Sequence, residues 1–367
     1  MELKSLDTCL LIILLWSFLL QLYYYLRYFL KLAKYEEKES VDLELSPISV
    51  IIAAKNEKEN LIENLPHFLE QNYPDFEIVV VNDHSTDGTK EWFEGQSHTK
   101  LKCYTLTDKS GKKAAIDLGV RMAKYDSLLF SDADCRPASK KWMKLMAKKL
   151  KHSNNIVLGY GKYKKNNSFL NALIRFETIQ TAVQYFSFAL SNKAYMGVGR
   201  NLGYHKSLFY ESTALSKYAH IKSGDDDLFI NEIAKKSKVG IVVNAKAHTI
   251  SKAESNWKSY YLQKRRHLEA GTKYKQSDRF RLARLGLSTL FFWLCLILLS
   301  TKASFGIIIF PIFAIKLILQ YYIYGRIMQK LEEKDLIFWS PFLEFFYILW
   351  MITIGLSIWI WKVERWK

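Results

Sequence analysis

Cysteine is scarce in this chain, and the spacing of its cysteines argues against a zinc site. The 367 residues include four cysteines, namely Cys9, Cys103, Cys135 and Cys295. No two of them lie close together, and none has the neighbouring His or Cys residues that zinc ligands show in a sequence. Internal repeats and low-complexity segments are absent as well. We therefore predict free thiols in a reducing compartment.

A cleavage site is missing after the first apolar segment. Residues 9–20 are almost wholly apolar, residues 23–25 add an aromatic band, and Arg27, Lys31 and Lys34 follow. A signal peptide would carry its basic residues before the apolar core and small residues after it. The order found here predicts an uncleaved membrane span with its basic end in the cytoplasm.

The carboxyl-terminal part of the chain contains three further apolar stretches. They cover residues 285–299, 305–324 and 342–361, which gives four predicted spans in all. The stretch at 285–299 is short and the next one carries Lys316, so a tight hairpin or a re-entrant arrangement is an alternative. Four spans would place Lys362, Arg365 and Lys367 outside, against the positive-inside rule.

Acidic residues are outnumbered by basic ones, 36 to 53, so the net charge is +17. A strongly basic chain suggests a nucleic-acid partner. Between residues 256 and 284, however, the basic residues alternate with aromatic ones directly before a predicted span. A helix on an anionic membrane surface explains this pattern more simply, so we predict membrane lipids as partners and no nucleic acid. The aromatic residues are Trp257, Tyr260, Tyr261, Tyr274 and Phe280.

The middle of the chain alternates between strand-like and helix-like segments. Apolar, β-branched runs predict strands, and helical spacing of apolar residues predicts helices. Continuously apolar strands joined by helices predict an α/β fold with a parallel sheet covered on both faces, whose ligands bind at the carboxyl ends of the strands. The predicted strands are 49–54, 76–81, 101–106, 127–130 and 156–163, and the predicted helices are 57–71, 113–123, 140–151 and 169–190.

Two carboxylates follow the predicted strand at 127–130. Asp132 and Asp134 are separated by one residue, so in an extended segment both side chains point the same way and can face one divalent cation. Asp83 follows the strand at 76–81 and should lie at the same edge of the sheet. A strand followed by an Asx turn is the alternative interpretation of Asp132 and Asp134. We expect these carboxylates to form one site for a phosphate-bearing ligand.

Three consecutive carboxylates, Asp225, Asp226 and Asp227, occupy a predicted helix start, where the helix dipole favours negative charge. Helix capping would need only one or two of them. Asp225 or Asp226 can serve as a general base if this loop folds over a metal-bound nucleotide.

Two further segments carry polar or flexible residues that suit a ligand. Gln263 and Arg266 lie on one helical face, where Arg266 can neutralise a diphosphate, although a solvated basic face is the alternative. The glycines of residues 197–204 would let the backbone approach a ligand closely, or would form a plain turn.

Five segments resemble, in chain order, the motifs of membrane-bound family-2 glycosyltransferases with a GT-A fold. They are residues 49–57, residues 81–88, Asp132-x-Asp134, residues 224–227 and Gln263-x-x-Arg266. The layout is similar to that of the group containing cellulose, hyaluronan and poly-N-acetylglucosamine synthases and ceramide glucosyltransferase. The resemblance implies a GT-A domain with a Rossmann-like, mixed and mainly parallel sheet at 36–255. It also implies a membrane helix at 1–35, an interfacial helix region at 256–284 and about three membrane helices at 285–367.

The resemblance also implies a reaction. It is the inverting transfer of a sugar from a nucleotide-diphosphate sugar, expected to be a UDP-sugar, to a lipid-linked or polysaccharide acceptor. The expected cofactor is Mg2+ or Mn2+, and the expected place is the cytoplasmic face of the cell inner membrane.

Individual residues receive roles from the resemblance. It implies that Ala53, Glu57 and Asp83 hold the nucleoside and that Lys112 lies near the base or the phosphates. Asp134 would ligate the metal together with Asp132, and Asp132 would also approach the diphosphate sugar. Gln263 and Arg266 would contact the donor. Anchoring the family's Glu-Asp-x-Asp-Leu pattern on Asp227-Leu228 selects Asp225 as the base, whereas a Glu-Asp pair placed on Asp225-Asp226 selects Asp226. We favour Asp225.

One departure and two rival functions bear on this interpretation. His267 stands where the family usually has a tryptophan after the arginine, which puts processive synthesis in doubt. A nucleotidyltransferase is the rival enzyme, but a Gly-rich phosphate loop should follow its first strand, and residues 53–57 do not form one. A membrane-tethered, non-catalytic homologue is the other rival, and it would need neither the acidic loop nor Gln263 and Arg266.

Overall fold

The computed structural model describes residues 5–37, 45–219, 221 and 223–360. Within these residues, ten strands form two sheets with the strand orders β3-β2-β1-β4-β8-β6-β9 and β5-β10-β7. β1 lies parallel to β2 and β4, β2 lies parallel to β3, and β8 runs antiparallel between β4 and β6. The predicted mixed, mainly parallel sheet is confirmed. The strands are β1 (Ile48–Ala54), β2 (Phe76–Asn82), β3 (Leu101–Thr105), β4 (Ser127–Asp132), β5 (Arg136–Pro137), β6 (Asn155–Leu158), β7 (Gly161–Tyr163), β8 (Leu202–His205), β9 (Lys238–Ile241) and β10 (Thr249–Ser251).

Helices cover both faces of the large sheet. Successive residues of a strand point to opposite faces, so Val50 and Ile52 pack with α3 on one side while Ile51 packs with α5 on the other. All three side chains are buried, which confirms the predicted coverage. The helices are α1 (Ser5–Tyr24), α2 (Leu30–Ala33), α3 (Lys58–Leu69), α4 (Thr89–Glu94), α5 (Lys112–Met122), α6 (Trp142–Ala147), α7 (Phe169–Ala189), α8 (Lys206–Glu211), α9 (Ala214–Lys217), α10 (Asp227–Ile233), α11 (Trp257–Gly271), α12 (Gln276–Ser300), α13 (Gly306–Lys330) and α14 (Ser340–Ile360), and a π-helix (Tyr25–Phe29) joins α1 to α2.

The single strand predicted at 156–163 is wrong, because the chain changes sheets in its middle. β6 lies in the large sheet and β7 in the small one. Between them, the amide of Gly159 donates to the Asn201 carbonyl at 2.9 Å, and the Asn201 side chain donates to the Tyr160 carbonyl at 2.9 Å. A Cβ at Gly159 would lie 2.4 Å from that side chain, so the bend depends on a glycine. The helix predicted at 140–151 is also too long, since α6 covers Trp142–Ala147.

Four helices of the described residues are long and apolar enough to cross a membrane, as predicted: Leu6–Ala33, Gln276–Ser300, Ala303–Lys330 and Ser340–Ser357. The first two run antiparallel. Asp7 pairs with Lys302 near one end, and the Tyr24 hydroxyl donates to the Arg281 carbonyl at 2.9 Å near the other. The basic residues Lys362, Arg365 and Lys367 lie outside the described residues.

A buried ion pair explains how α13 carries a lysine among apolar residues. The Lys316 ammonium lies 2.5 Å from the Glu344 carboxylate in α14 and donates to Gln320 at 3.0 Å. The Trp293 indole of α12 donates to the same carboxylate at 3.0 Å. Pairing removes much of the cost of burying a charge, so three apolar helices meet at one polar contact. The sequence analysis did not identify Glu344 as the partner.

α14 also packs against the sheet-containing part of the chain. Its Phe346 ring lies 5.4 Å from Phe169 in α7. The Trp350 ring stacks on Tyr260 of α11 at 5.4 Å, with an interplanar angle of 6°. The helix that carries Gln263 and Arg266 is therefore held directly against a candidate membrane span.

Candidate active site

The carboxyl ends of β1, β2 and β4 meet at one edge of the large sheet. Ala53 in β1 is aligned with Val81 in β2 on one side and with Asp132 in β4 on the other. The amide of Asp83 donates to the Ala54 carbonyl at 2.8 Å, which places Asp83 just beyond β2 at the same edge. Parallel pairing thus brings together three of the residues that the sequence predicted for the site.

Asp83 is a buried carboxylate surrounded by donors. It accepts hydrogen bonds from the Gly111 amide at 2.9 Å and from the Lys55 ammonium at 3.4 Å, and the His84 ring nitrogen lies 3.2 Å away. Burial opposes ionisation of Asp83, but these donors outweigh it and lower the pKa below its ordinary value. Asp83 is therefore held as an anion. Glu57 follows the end of β1 and directly precedes α3, where its carboxylate accepts from Asn60.

Asp132, Asp134 and Cys135 form a cluster at the end of β4. Their possible ligand atoms all lie within 4.8 Å of one another. The Cys135 thiol donates to Asp134 at 3.3 Å, and burial raises the pKa of this thiol well above its ordinary value. Cys135 therefore acts as a hydrogen-bond donor, and the two carboxylates supply the hard oxygen ligands that Mg2+ or Mn2+ prefers.

The two carboxylates of this cluster differ in exposure. Asp134 is exposed and Asp132 half-buried. Desolvation within the cleft, together with the neighbouring charge of Asp132, raises the pKa of Asp134. A cation between them would relieve this repulsion. The residues present thus fit a divalent metal ion.

Lys112, the first residue of α5, joins the cluster to the acidic loop. Its ammonium lies 2.8 Å from Asp132 and 3.5 Å from Asp225. Burial opposes its charge, but Asp132, Asp225 and Asp226 outweigh burial and hold the pKa of Lys112 well above its ordinary value. The amide of the preceding residue, Gly111, binds Asp83. The two consecutive residues Gly111 and Lys112 therefore contact Asp83, Asp132 and Asp225, which belong to three separate segments.

The three consecutive aspartates have different surroundings. Asp226 caps α10 by accepting from the Asp227 amide at 2.8 Å, and it also accepts from the Gly199 amide. Asp227 accepts from the Tyr274 hydroxyl at 2.8 Å. The Oδ2 atom of Asp225 is buried and accepts no hydrogen bond from the described residues, although the charge of Lys112 lies close by.

Two pKa values of this loop are raised. Burial, reinforced by the charge of Asp225, raises the pKa of Asp226 to about 6. Burial and the charge of Asp226 likewise raise the pKa of Asp227 well above its ordinary value. Gly224 begins the loop at φ 79°, and a Cβ there would lie 2.9 Å from Leu228. The loop is therefore tightly packed at Gly224.

Gln263 and Arg266 lie on α11, beside the acidic loop. The Arg266 carbonyl accepts from the Ser223 hydroxyl at 2.7 Å, which ties the helix to the segment preceding the aspartates. Burial lowers the pKa of Arg266. Among the described residues, neither side chain hydrogen-bonds to the three aspartates, so the backbone carbonyl of Arg266 makes the contact between α11 and the start of the acidic loop. His267 is exposed, and the Lys264 ammonium lies 3.4 Å from its ring.

The sequence analysis missed four residues that shape this site. Lys55 and Gly111 contact Asp83, Gly199 contacts Asp226, and Tyr274 contacts Asp227. Lys55 lies in the segment 49–57 and Gly199 in the glycine-containing segment 197–204, but neither was singled out. A Cβ at Gly199 would lie 3.1 Å from the Asp226 carboxylate, so the backbone there approaches a side chain of the protein, and its approach to a ligand stays a prediction.

Comparison with protein families identifies the central part of the chain. Residues 49–213 match the model of Glycosyl transferase family 2. Poly-beta-1,6-N-acetyl-D-glucosamine synthase of Staphylococcus epidermidis is 34% identical over 88 residues, which are 24% of this chain and 21% of that protein. The synthase of the same name from Staphylococcus aureus strain COL is 30% identical over 111 residues, 29% of this chain and 27% of that protein. The match thus spans about a fifth to a quarter of these relatives.

Comparison with solved structures extends over nearly the whole chain. A mannosyltransferase from Pyrobaculum calidifontis, solved in complex with GDP-Man and Mn2+, has a TM-score of 0.57. The alignment covers 94% of this chain and 99% of the mannosyltransferase, at 17% sequence identity. At this identity the likeness concerns the fold, which is the GT-A fold.

Proposed function

Residues 49–213 form a family-2 glycosyltransferase domain, and from this premise we propose that the protein transfers a sugar from a nucleotide-diphosphate sugar to an acceptor hydroxyl. The observation that carries the proposal is the convergence of Asp83, Asp132 and Asp225 on the adjacent residues Gly111 and Lys112. Carboxylates from three distant segments thus surround one cleft at the carboxyl edge of the sheet, where a nucleotide ligand is expected.

We assign Ala53, Glu57 and Asp83 to the nucleoside of the donor, and the position of Ala53 and Asp83 at one edge of the sheet supports this assignment. Asp132 and Asp134 would hold Mg2+ or Mn2+, which when bound offsets negative charge on the diphosphate. Lys112 holds Asp132 in place through its 2.8 Å contact. The synthases that match in sequence are named for N-acetylglucosamine, so the UDP derivative of that sugar is the first donor to test.

Asp225 is the residue we assign as the general base. Asp226 and Asp227 accept hydrogen bonds from Gly199 and Tyr274, which leaves Asp225 with a buried oxygen that accepts none from the described residues. In a single displacement the acceptor oxygen forms a bond to the anomeric carbon as the bond to the diphosphate breaks. Asp225 takes the proton of the acceptor hydroxyl in the same step, and the configuration of the sugar inverts.

The acceptor is proposed to arrive from the membrane. α11, which carries Gln263 and Arg266, contacts the segment before the acidic loop through the Arg266 carbonyl, and its Tyr260 stacks on Trp350 of the candidate span α14. We assign Arg266 to the departing diphosphate. A lipid-linked or polysaccharide acceptor in an inner membrane, with the sheet domain in the cytoplasm, fits this arrangement and the basic end of the first span.

The test uses the full chain purified in detergent with Mn2+. UDP release would be measured with a panel of UDP-sugars and membrane-lipid extract as acceptor, and mass spectrometry would identify the product. We expect Asp225→Asn to lower the turnover number by about 10²- to 10⁴-fold while UDP binding is retained. The control is Asp117→Asn, which removes a surface carboxylate paired with Arg121 on α5.

Two results would contradict the proposal. One is an Asp225→Asn variant that transfers sugar at the wild-type rate, which would exclude this aspartate as the base. The other is a folded wild-type protein that binds no nucleotide and releases no UDP from any donor, which would exclude the reaction itself.

A further inference from the structure

A groove of about 770 Å³ lies on the surface beside the end of α13, and the reaction proposed above does not use it. The same end of α13 contacts the sheet domain, because the Tyr324 hydroxyl donates to Gln180 of α7 at 2.7 Å. The groove is therefore on the side of the membrane helices that faces the sheet domain. Residues that line it include Tyr321, Tyr322, Arg326, Gln329, Lys330 and Ile337.

Two basic side chains give the groove its charge. Arg326 is exposed, and its guanidinium lies 5.3 Å from the centre of the Tyr322 ring. The Lys330 ammonium donates to the carbonyls of Leu32 and Tyr35. Within the described residues, neither Arg326 nor Lys330 lies within 4 Å of a carboxylate. The acidic residues that follow α13 form ion pairs with other basic residues. The Arg326 guanidinium is thus open to a ligand, and the charge of Lys330, held by two carbonyls, adds to the positive potential of the groove.

The acidic residues that follow α13 are bound by the sheet domain instead. Glu332 lies 3.2 Å from Lys162, and Asp335 lies 3.0 Å from Lys165. Glu333 is buried and accepts from Arg175 at 2.8 Å. Glu36, whose charge also acts on Lys330, is exposed to solvent. Since Glu332, Glu333 and Asp335 are paired with the sheet domain and Glu36 lies in solvent, the described residues that line the groove keep a net positive character.

The position of the groove corresponds to the headgroup level of a bilayer. The candidate span ends at Lys330, so the groove covers its last turns. Tyr321 and Tyr322 are exposed there, and the Tyr321 hydroxyl donates to the Phe338 carbonyl at 3.1 Å. Phe338 and Trp339 are exposed as well, 73% and 54%. Exposed Tyr and Trp side chains gather where a span meets the lipid headgroups.

We propose that this groove binds the headgroup of an anionic phospholipid from the leaflet next to the sheet domain. The phosphate would contact Arg326 and the charge of Lys330, as basic pockets between spans bind anionic headgroups. The acyl chains would follow the outer face of α13, where Ile315 and Ile318 are exposed. The site is independent of the proposed sugar transfer, because it does not include residues of the cleft.

The test measures lipid retention, so its result does not depend on enzymatic activity. The full chain would be reconstituted in phosphatidylcholine vesicles containing about one fifth phosphatidylglycerol and then extracted in mild detergent. Native mass spectrometry would count the lipids that remain bound. Wild type should retain phosphatidylglycerol in preference to phosphatidylcholine. Arg326→Gln should weaken this retention about fivefold, the factor that one basic charge contributes at an anionic surface.

A matched control exists on another span. Arg284 of α12 is also exposed, and its guanidinium lies 5.6 Å from the Phe280 ring, but it does not line the groove. Arg284 belongs to the basic and aromatic region predicted to lie on the membrane surface, so Arg284→Gln should lower the retention by clearly less than Arg326→Gln. Gln329→Glu, at an exposed position within the groove, should weaken retention at least as much as Arg326→Gln by placing a negative charge beside the phosphate. Thermal unfolding would confirm that all variants fold.

Three outcomes would overturn the proposal. The first is equal retention of both lipids by wild type. The second is an equal loss in Arg284→Gln and Arg326→Gln, which would show diffuse surface attraction instead of a site. The third is a dimer in the same mass spectra that Gln329→Glu dissociates without a change in bound lipid, which would assign the groove to a second copy of the chain.

Discussion

The ammonium of Lys112 lies 3.5 Å from Oδ2 of Asp225, although the two residues come from different segments of the fold. The same ammonium lies 2.8 Å from Asp132. A single lysine thus offsets the negative charge of both the proposed metal-binding pair and the proposed base. In the described residues, no other side chain forms an ion pair with both groups.

Lys112→Met should raise the pH at which the enzyme reaches full activity. Without the lysine, Asp226 loses a positive charge that lowers its pKa, so its protonated form is favoured. Because Asp226 borders the proposed base, we expect the acid limb of the pH-rate profile to move to higher pH. The measurement is kcat/KM for UDP-sugar as a function of pH. Lys102→Met, which changes an exposed lysine on β3, is the control. An unchanged acid limb would contradict this role of Lys112.

Asp226 should affect stability more than its neighbour Asp225. Asp226→Ala removes the side chain that accepts hydrogen bonds from the Gly199 and Asp227 amides, and loss of a helix cap to alanine costs about 1 kcal/mol. Asp225→Ala breaks no such bond and should leave the melting temperature near that of wild type while lowering turnover by at least about 10²-fold. Thermal unfolding and turnover, measured on both variants, separate the two effects. Equal melting temperatures and equal activity losses would contradict the assignment.

The raised pKa of Asp226 also predicts how stability depends on pH. Its ordinary value is 3.8 and its value in the fold is about 6, so between these limits the folded protein binds more protons than the unfolded chain. Stability should therefore fall as the pH rises from about 4 to about 6 and then stop changing on account of this group. Asp226→Asn should lack this decrease. The same dependence of stability on pH in wild type and in Asp226→Asn across that range would contradict this prediction.

Asp134 and Cys135 should differ in their effect on metal binding. Asp134→Asn removes a charged oxygen ligand and should weaken Mn2+ binding by at least about tenfold. Cys135→Ala should leave Mn2+ binding within a few-fold of wild type, because the raised pKa keeps its thiol protonated. Titration of Mn2+ followed by electron paramagnetic resonance measures both. A larger loss in Cys135→Ala would identify the sulfur as a ligand.

The ion pair between Lys316 and Glu344 should show strong coupling. Lys316→Met alone leaves a buried carboxylate without its partner, and we expect a loss of about 3–5 kcal/mol in stability. Lys316→Met combined with Glu344→Gln should recover most of that loss, because neither residue then carries a charge. Unfolding in detergent of wild type, both single variants and the double variant completes the cycle. Additive losses would show that the two residues do not interact.

The sheet and the apolar helices could be predicted because they depend on local patterns. Runs such as residues 49–54 and 76–81 are apolar and β-branched, which favours buried strands whatever surrounds them. β1 begins one residue earlier than predicted, and β2 ends one residue later than predicted. Residues 156–163 look like one strand by the same criteria, but Asn201 hydrogen-bonds across the middle and divides them.

The sequence by itself determined which residue types stand at the strand ends, the order of the acidic segments and the four long apolar helices, since hydropathy and spacing are properties of neighbouring residues. Only the tertiary structure decided that Asp226 and Asp227 accept hydrogen bonds from Gly199 and Tyr274, while Oδ2 of Asp225 accepts none from the described residues, because these donors lie 27 and 47 positions away. It also decided that Lys316 pairs with Glu344, 28 positions away. Such choices depend on which distant groups meet after packing, and no local pattern contains that information.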